Sequence, residues 1–225
     1  MTRITAAIII VAIIIVGAIE KIYKLYTLTN RLEFTSRYRN DFIDFCNQAR
    51  KTHHLEDDRY YSLLQDVNKI QRELGMDGII SVYQDPLAGF QMNNYPLFLN
   101  FFNEMRQYMT SYSLFEERVY LLVSSCDEAL VKHIGNLKEA IALGKSKVKN
   151  PFFCFANGIS FIISLPIRVL EWCGIINNKF STKILNSKFQ TIINKIAILL
   201  GLISSLFTII LGWDNFIMII KKLIN

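Results

Sequence analysis

Apolar positions recur along this chain in two ways: as unbroken runs near the ends and as a three-or-four-residue period in the middle. Ile4 to Ile19 gives sixteen uncharged positions, mostly Ile, Val and Ala, bounded by Arg3 and by Glu20-Lys21. As a helix this run covers about 24 Å, a little short of a bilayer core of about 30 Å. Lys21 and Lys24 make up the difference by extending their ammonium groups to the interface. Val16-Gly17-Ala18 has the small residues of a signal-peptide cleavage site. The helical pattern nevertheless continues through Ile22, Leu25, Tyr26, Leu28 and Leu32. An uncleaved N-terminal transmembrane anchor over residues 1–22 is therefore expected.

At the other end, Ile196 to Trp213 gives eighteen uncharged residues between Lys195 and Asp214. Gly201, Ser204, Ser205 and Thr208 lie within this run, and small residues let a neighbouring helix approach closely. The expectation for residues 179–225 is a basic linker followed by a transmembrane helix that contacts other copies. Trp213 then serves as an interfacial anchor, as Trp172 does earlier in the chain.

Residues 149–178 combine membrane-grade apolar content with charge. Asn150 is a good N-cap and Pro151 a good first helical residue. Phe152, Phe153, Phe155, Ile159, Phe161, Ile162 and Ile163 follow, and then Pro166, Arg168 and Glu171 interrupt the apolar run. Lys145, Lys147 and Lys149 precede this segment, and Lys179, Lys183 and Lys188 follow it. Basic flanks on both sides place both ends on one side of a membrane. A bent interfacial or re-entrant helix is expected, with a clean span, which would export three or four lysines, as the alternative. Arg168 and Glu171, three apart, are expected to pair on one face.

The middle of the chain, residues 23–148, reads as a helical bundle. Phe34, Tyr38, Phe42 and Phe45 make one apolar stripe that runs to about Ala49. A second helix follows Asp57-Asp58, carries Tyr60, Leu63, Leu64, Val67, Ile70 and Leu74, and stops at Gly75. A third starts at Asn94-Tyr95-Pro96 and runs to about Met109. A fourth opens on the capping box Ser113-Leu114-Phe115-Glu116 and closes at Gly144. The link from Met76 to Asn94 holds Gly78, Pro86 and Gly89 beside Ile79, Ile80, Val82 and Tyr83, so it is neither one helix nor a solvated loop. It is expected to fold back over the bundle, a subunit or membrane contact being the alternative, with only Ile79 to Tyr83 hinting at period two.

Composition and charge sharpen the picture. A chain that is 52% hydrophobic and 20% charged is not disordered. Four cysteines without close pairs do not make a disulfide scaffold, and they suit a reducing compartment. The formal net charge of +6 is unevenly spread: +4 over residues 1–52, −6 over 53–144 and +8 over 145–225. The acidic middle argues against nucleic acid as a partner. The basic ends match the cytosolic boundary of an inner membrane and anionic headgroups, placing the bundle in the cytosol.

Catalytic motifs are weak. No phosphate-binding glycine loop, nucleophile elbow, zinc-protease motif or CxxC pair occurs in the sequence. Arg50-Lys51-Thr52-His53-His54 resembles the Arg–His pair of the helical HEPN ribonucleases, with a shorter spacing, and would make Arg50 and His54 catalytic. An exposed helix end, with His and Lys complementing the C-terminal dipole, accounts for the same residues. Cys126 and His133 lie about 10 Å apart along one helix, too far for a nucleophile and its base, so Cys126 is expected in the core. Asp41 and Asp44 read as a solvated face, and no metal ligand set or cofactor is expected.

The fold class expected is thus all-α: a membrane-anchored helical bundle with an N-terminal transmembrane helix and C-terminal membrane helices. The layout resembles that of small membrane effectors accompanying bacterial antiphage systems, which implies a non-enzymatic homo-oligomer that perturbs or gates the lipid bilayer. A scaffold or receptor whose acidic bundle binds a cytosolic protein partner is the alternative, with a HEPN-like ribonuclease as the third reading. Arg168, Glu171, Gly201, Ser204, Ser205 and Thr208 are the expected membrane or oligomer residues, and Lys21, Lys24, Trp172 and Trp213 the interfacial anchors.

Overall fold

A computed structural model describes residues 3–84, 91–110, 116–185, 187, 191, 192, 195, 196, 198–201, 203 and 204. The chain divides into two compact units, Leu25–Gly144 and the pair of segments Met1–Lys24 and Lys145–Asn225. Among the described residues the fold is almost wholly helical, with one two-stranded hairpin.

The Leu25–Gly144 unit is built around aromatic rings. Its first helix is the continuation of α1 (Arg3–Thr52), which ends where His53 turns left-handed at φ +51°. The expected stripe is the buried one: Phe34, Tyr38, Phe42 and Phe45 all face the core. They meet Phe98, Phe101 and Phe102 of α4 (Leu97–Thr110), with Phe42 edge-on to Phe101 at 4.8 Å and to Phe98 at 5.5 Å between centroids. Such edge-to-face pairs add about 0.5–1.5 kcal/mol each beyond burial. Val119, Leu122, Cys126 and Leu130 of α5 (Glu116–Val148) close the core from another side.

Three boundaries differ from the periodicity reading. The second helix is two, α2 (Asp57–Gln65) and α3 (Val67–Leu74), broken at Asp66, whose φ −90°, ψ 0° lies at the rim of the helical region. The apolar spacing continues unbroken across Asp66, so it carries no sign of the break. Gly75 does end α3, at φ +55°, a conformation that costs glycine no Cβ clash.

The link after Gly75 is a 3-10 turn, Gly75–Gly78, followed by a hairpin. Strands β1 (Ile79–Gln84) and β2 (Gln91–Pro96) pair antiparallel, Ile80 opposite Tyr95 and Val82 opposite Asn93. Asn94-Tyr95-Pro96 is therefore strand and not helix start. Pro96 disfavours helical geometry at Tyr95, and α4 begins at the next residue, Leu97. Tyr83 stacks on the buried Tyr95 at 4.3 Å, so the hairpin does add to the core.

Gly144 does not close α5, which runs on to Val148. The glycine serves close packing instead: a Cβ there would collide with the Leu25 side chain. Ser113, Leu114 and Phe115 of the expected capping box lie outside the described residues.

The other unit contains the start of α1, α6 (Pro151–Trp172) and α7 (Asn178–Leu185). The start of α6 is the expected one. Asn150 Oδ1 accepts from the Phe152 and Phe153 N–H groups at 3.0 and 3.4 Å, and Pro151 stands at the first helical position. Its far end closes through Gly174 at φ +72°, with Ile175 N–H donating to the Leu170 carbonyl. Among the described residues α6 is the one helix long and apolar enough to cross a membrane.

Candidate functional site

Glycine brings α1 and α6 into backbone contact. A Cβ at Gly17 would strike the Cys154 carbonyl and Gly158 N, and a Cβ at Gly158 would strike the Ile13 carbonyl. No larger residue fits either position without moving a helix. The sequence reading places Gly17 inside the anchor but assigns no partner to it.

One helical turn beyond Gly17, the close approach allows a polar cluster. Asn157 donates through Nδ2 to the Gly17 carbonyl at 2.9 Å and also to Glu20 Oε2. Glu20 Oε1 takes Lys24 Nζ at 2.7 Å and Arg168 Nη2 at 3.3 Å. Arg168 Nε donates to Ser164 Oγ at 3.1 Å, and Ser164 in turn donates to the Phe161 carbonyl at 2.8 Å. The guanidinium also lies over the Phe161 ring, 5.0 Å from its centroid. The Glu20 carboxylate is only 11% exposed, so its charge is compensated by two cations and an amide.

The expected Arg168–Glu171 pair is replaced by two other contacts. Helical side chains lean toward the helix N-terminus, so Arg168 reaches back to Ser164 and on to Glu20. Glu171 accepts from Ser181 Oγ of α7 at 2.6 Å, and Ser181 is buried. The pair thus separates into one contact with α1 and one with α7.

The remaining expected residues fall as follows. Gly201 is helical and faces α6: a Cβ on it would be 3.5 Å from Phe155 and Ile159. Ser204 is helical and exposed. Ser205, Thr208 and Trp213 lie outside the described residues. Trp172 is 88% exposed at the end of α6. Lys21 lies over the Phe153 ring at 5.6 Å. Arg50 and His54 are exposed at the end of α1, and among the described residues no hydrogen bond or ion pair joins them. Asp41 and Asp44 are exposed, and Cys126 is fully buried.

Around this cluster the usual burial order is reversed. The buried residues of α6 are Cys154, Gly158 and Ser164. Phe152, Ile162, Val169, Leu170 and Trp172 face outward. On α1, Ile8, Val11, Ile15, Ile19 and Ile22 are exposed while Gly17 is buried.

The bundle holds polar contacts that periodicity does not reveal. Arg39 grips Asp127 through two hydrogen bonds, 2.6 and 3.1 Å, and these hold the guanidinium pKa above its ordinary value. Glu73 Oε1 accepts from Arg31 Nε at 2.8 Å and meets His133 Nε2 at 2.9 Å, joining α1, α3 and α5. Burial pushes the Cys46 thiol up to about 12 and the Cys126 thiol well above the ordinary range, so neither is a nucleophile at neutral pH. The signal for the Glu73 contact was the single polar residue, His133, on the apolar face of α5.

No family model, curated protein or solved structure matches this chain.

Proposed function

We propose that the chain is an integral membrane protein whose Met1–Lys24 and Lys145–Asn225 segments sit in the bilayer, assemble in copies, and perturb or gate the membrane. The observation that carries this reading is the reversed burial order. Exposed Ile, Leu, Phe and Trp on α1 and α6 surround buried glycine, serine and a carboxylate. Large exposed apolar surface is unfavourable in water and favourable in lipid. Helices in lipid associate through small residues and shared polar groups, as Gly17, Gly158 and Asn157 do here.

In this reading the Glu20–Arg168 pair is the functional element. An ionisable residue within a membrane segment is a functional candidate by default, and Glu20 has Arg168 as its partner. Charge inside the apolar segment gives a route along which water or ions pass when copies assemble. The acidic bundle would remain in the cytosol, held there by Lys21, Lys24 and the lysines flanking α6.

The test is reconstitution of the full chain into liposomes loaded with a self-quenching dye, with native mass spectrometry in mild detergent alongside. Dye release that rises with protein density, together with a defined oligomer, supports the reading. A tight vesicle and a strictly monomeric protein would overturn it and leave a membrane-localised scaffold as the better account.

A further inference from the structure

We infer that Lys21, Lys24 and Lys147 form a binding site for the phosphate of an anionic phospholipid headgroup. This rests on the membrane reading above. Lys21 Nζ and Lys147 Nζ approach the same ring, Phe153, at 5.6 and 5.4 Å from its centroid. Lys24 follows Lys21 by one turn on the same helix, α1, so the two side chains share a face. Three ammonium groups therefore converge where α1 leaves its apolar run and α6 begins.

Their charge is only partly balanced: Glu20 pairs with Lys24 and Arg168, and among the described residues Lys21 and Lys147 have no ion pair of their own. Like charges so placed repel one another, and an anion seated among them removes the repulsion. Lysine ammonium groups bind phosphate as compact point charges. Lys147 and Lys24 are exposed, so an anion has access.

Lipid, rather than a free anion, is indicated by the neighbouring surface. Phe152 is 72% exposed immediately beside Phe153, and Ile22 is 54% exposed beside Lys21. A ligand with an acyl chain covers these groups while its phosphate meets the ammonium cluster. Inorganic phosphate leaves them in water.

The full-length protein would be exchanged into nanodiscs of phosphatidylglycerol and phosphatidylcholine in equal parts. Native mass spectrometry would then count the lipids that stay bound on release. The retained lipid is expected to be enriched in phosphatidylglycerol, and K21Q/K147Q should cut the enrichment by about fivefold for each lysine removed. K21R/K147R should restore it, and K183Q/K195Q should leave it unchanged. An equal loss in K183Q/K195Q overturns the site in favour of diffuse charge. A melting shift caused by inorganic phosphate and abolished by K21Q/K147Q, without lipid enrichment, assigns the cluster to a free anion and overturns the lipid proposal. Release of the wild-type protein from membranes by alkaline carbonate defeats the membrane reading as well. A protein that resists carbonate but shows no lipid preference defeats only the site.

Discussion

Arg168 Nη2 stands 3.3 Å from Glu20 Oε1, a partner 148 positions away, although Glu171 is only three positions along its own helix. The choice follows from side-chain direction on a helix and from the glycine contact that brings α1 within reach. It ties the polar cluster to the packing, so each can be probed through the other.

Replacing Gly158 by Ala should destabilise the protein, because the new methyl would meet the Ile13 backbone, which cannot step aside alone. The cost expected for such overpacking is about 1–3 kcal/mol. Gly135→Ala is the contrast, since nothing lies within 4 Å of a Cβ there. In the middle of α5 it should stabilise by up to about 1 kcal/mol. Thermal melting of the full chain in detergent checks both signs.

A double-mutant cycle on Glu20→Gln and Arg168→Gln measures the ion pair. Arg168 is 43% exposed and Glu20 11%, and the coupling expected for a pair that open is at least about 0.2–1 kcal/mol. Strict additivity of the two melting shifts would remove the pair from the account.

Glu73 holds two groups at once. Glu73→Ala should cost about 1–3 kcal/mol, because His133, only 8% exposed, loses the partner that satisfies its ring nitrogen. Adding His133→Leu to Glu73→Ala should recover part of that loss, since the leucine needs no partner. Urea titration followed by far-UV circular dichroism reports the order of the three proteins.

Thiol chemistry should separate the cysteines. Cys173 is exposed and should react with a disulfide reagent first, whereas Cys46, Cys126 and Cys154 are buried and should wait for unfolding. The thiol of Cys46 is raised in the folded state to about 12 from an ordinary 9.0, mainly by burial. Its contribution to stability is therefore complete below pH about 9 and is lost as pH rises through about 12. Tyr38, also raised by burial, adds to the loss above its ordinary value of 10.0. Stability measured by urea should fall across this alkaline window, and Cys46→Ala should make the fall shallower.

Legibility in the sequence divides along a physical line. Helical period is local, so Phe34, Tyr38, Phe42 and Phe45 announced the core stripe, and Asn150-Pro151 announced the start of α6. The break at Asp66 left the period intact and passed unseen. The strand at Asn94-Tyr95-Pro96 was hidden by proline's frequent place at helix starts, although the same proline keeps Tyr95 extended. Gly144 read as a stop because glycine ends helices more often than it admits a side chain such as Leu25. A contact between distant positions such as Glu20 with Arg168 leaves no mark on spacing, and Glu73 with His133 leaves only a lone polar residue on the apolar face of α5.

Pro166 lies within α6, between Ser164 and Arg168. It has no N–H to offer the Ile162 carbonyl, so the ladder of the helix has a missing rung there. The helix stays continuous through Pro166, and bending is cheapest there. A bend there would displace Arg168 relative to Glu20 and leave Asn157 on the Gly17 carbonyl. The charge contact can open without undoing the crossing, which gives α6 a hinge separate from its clasp.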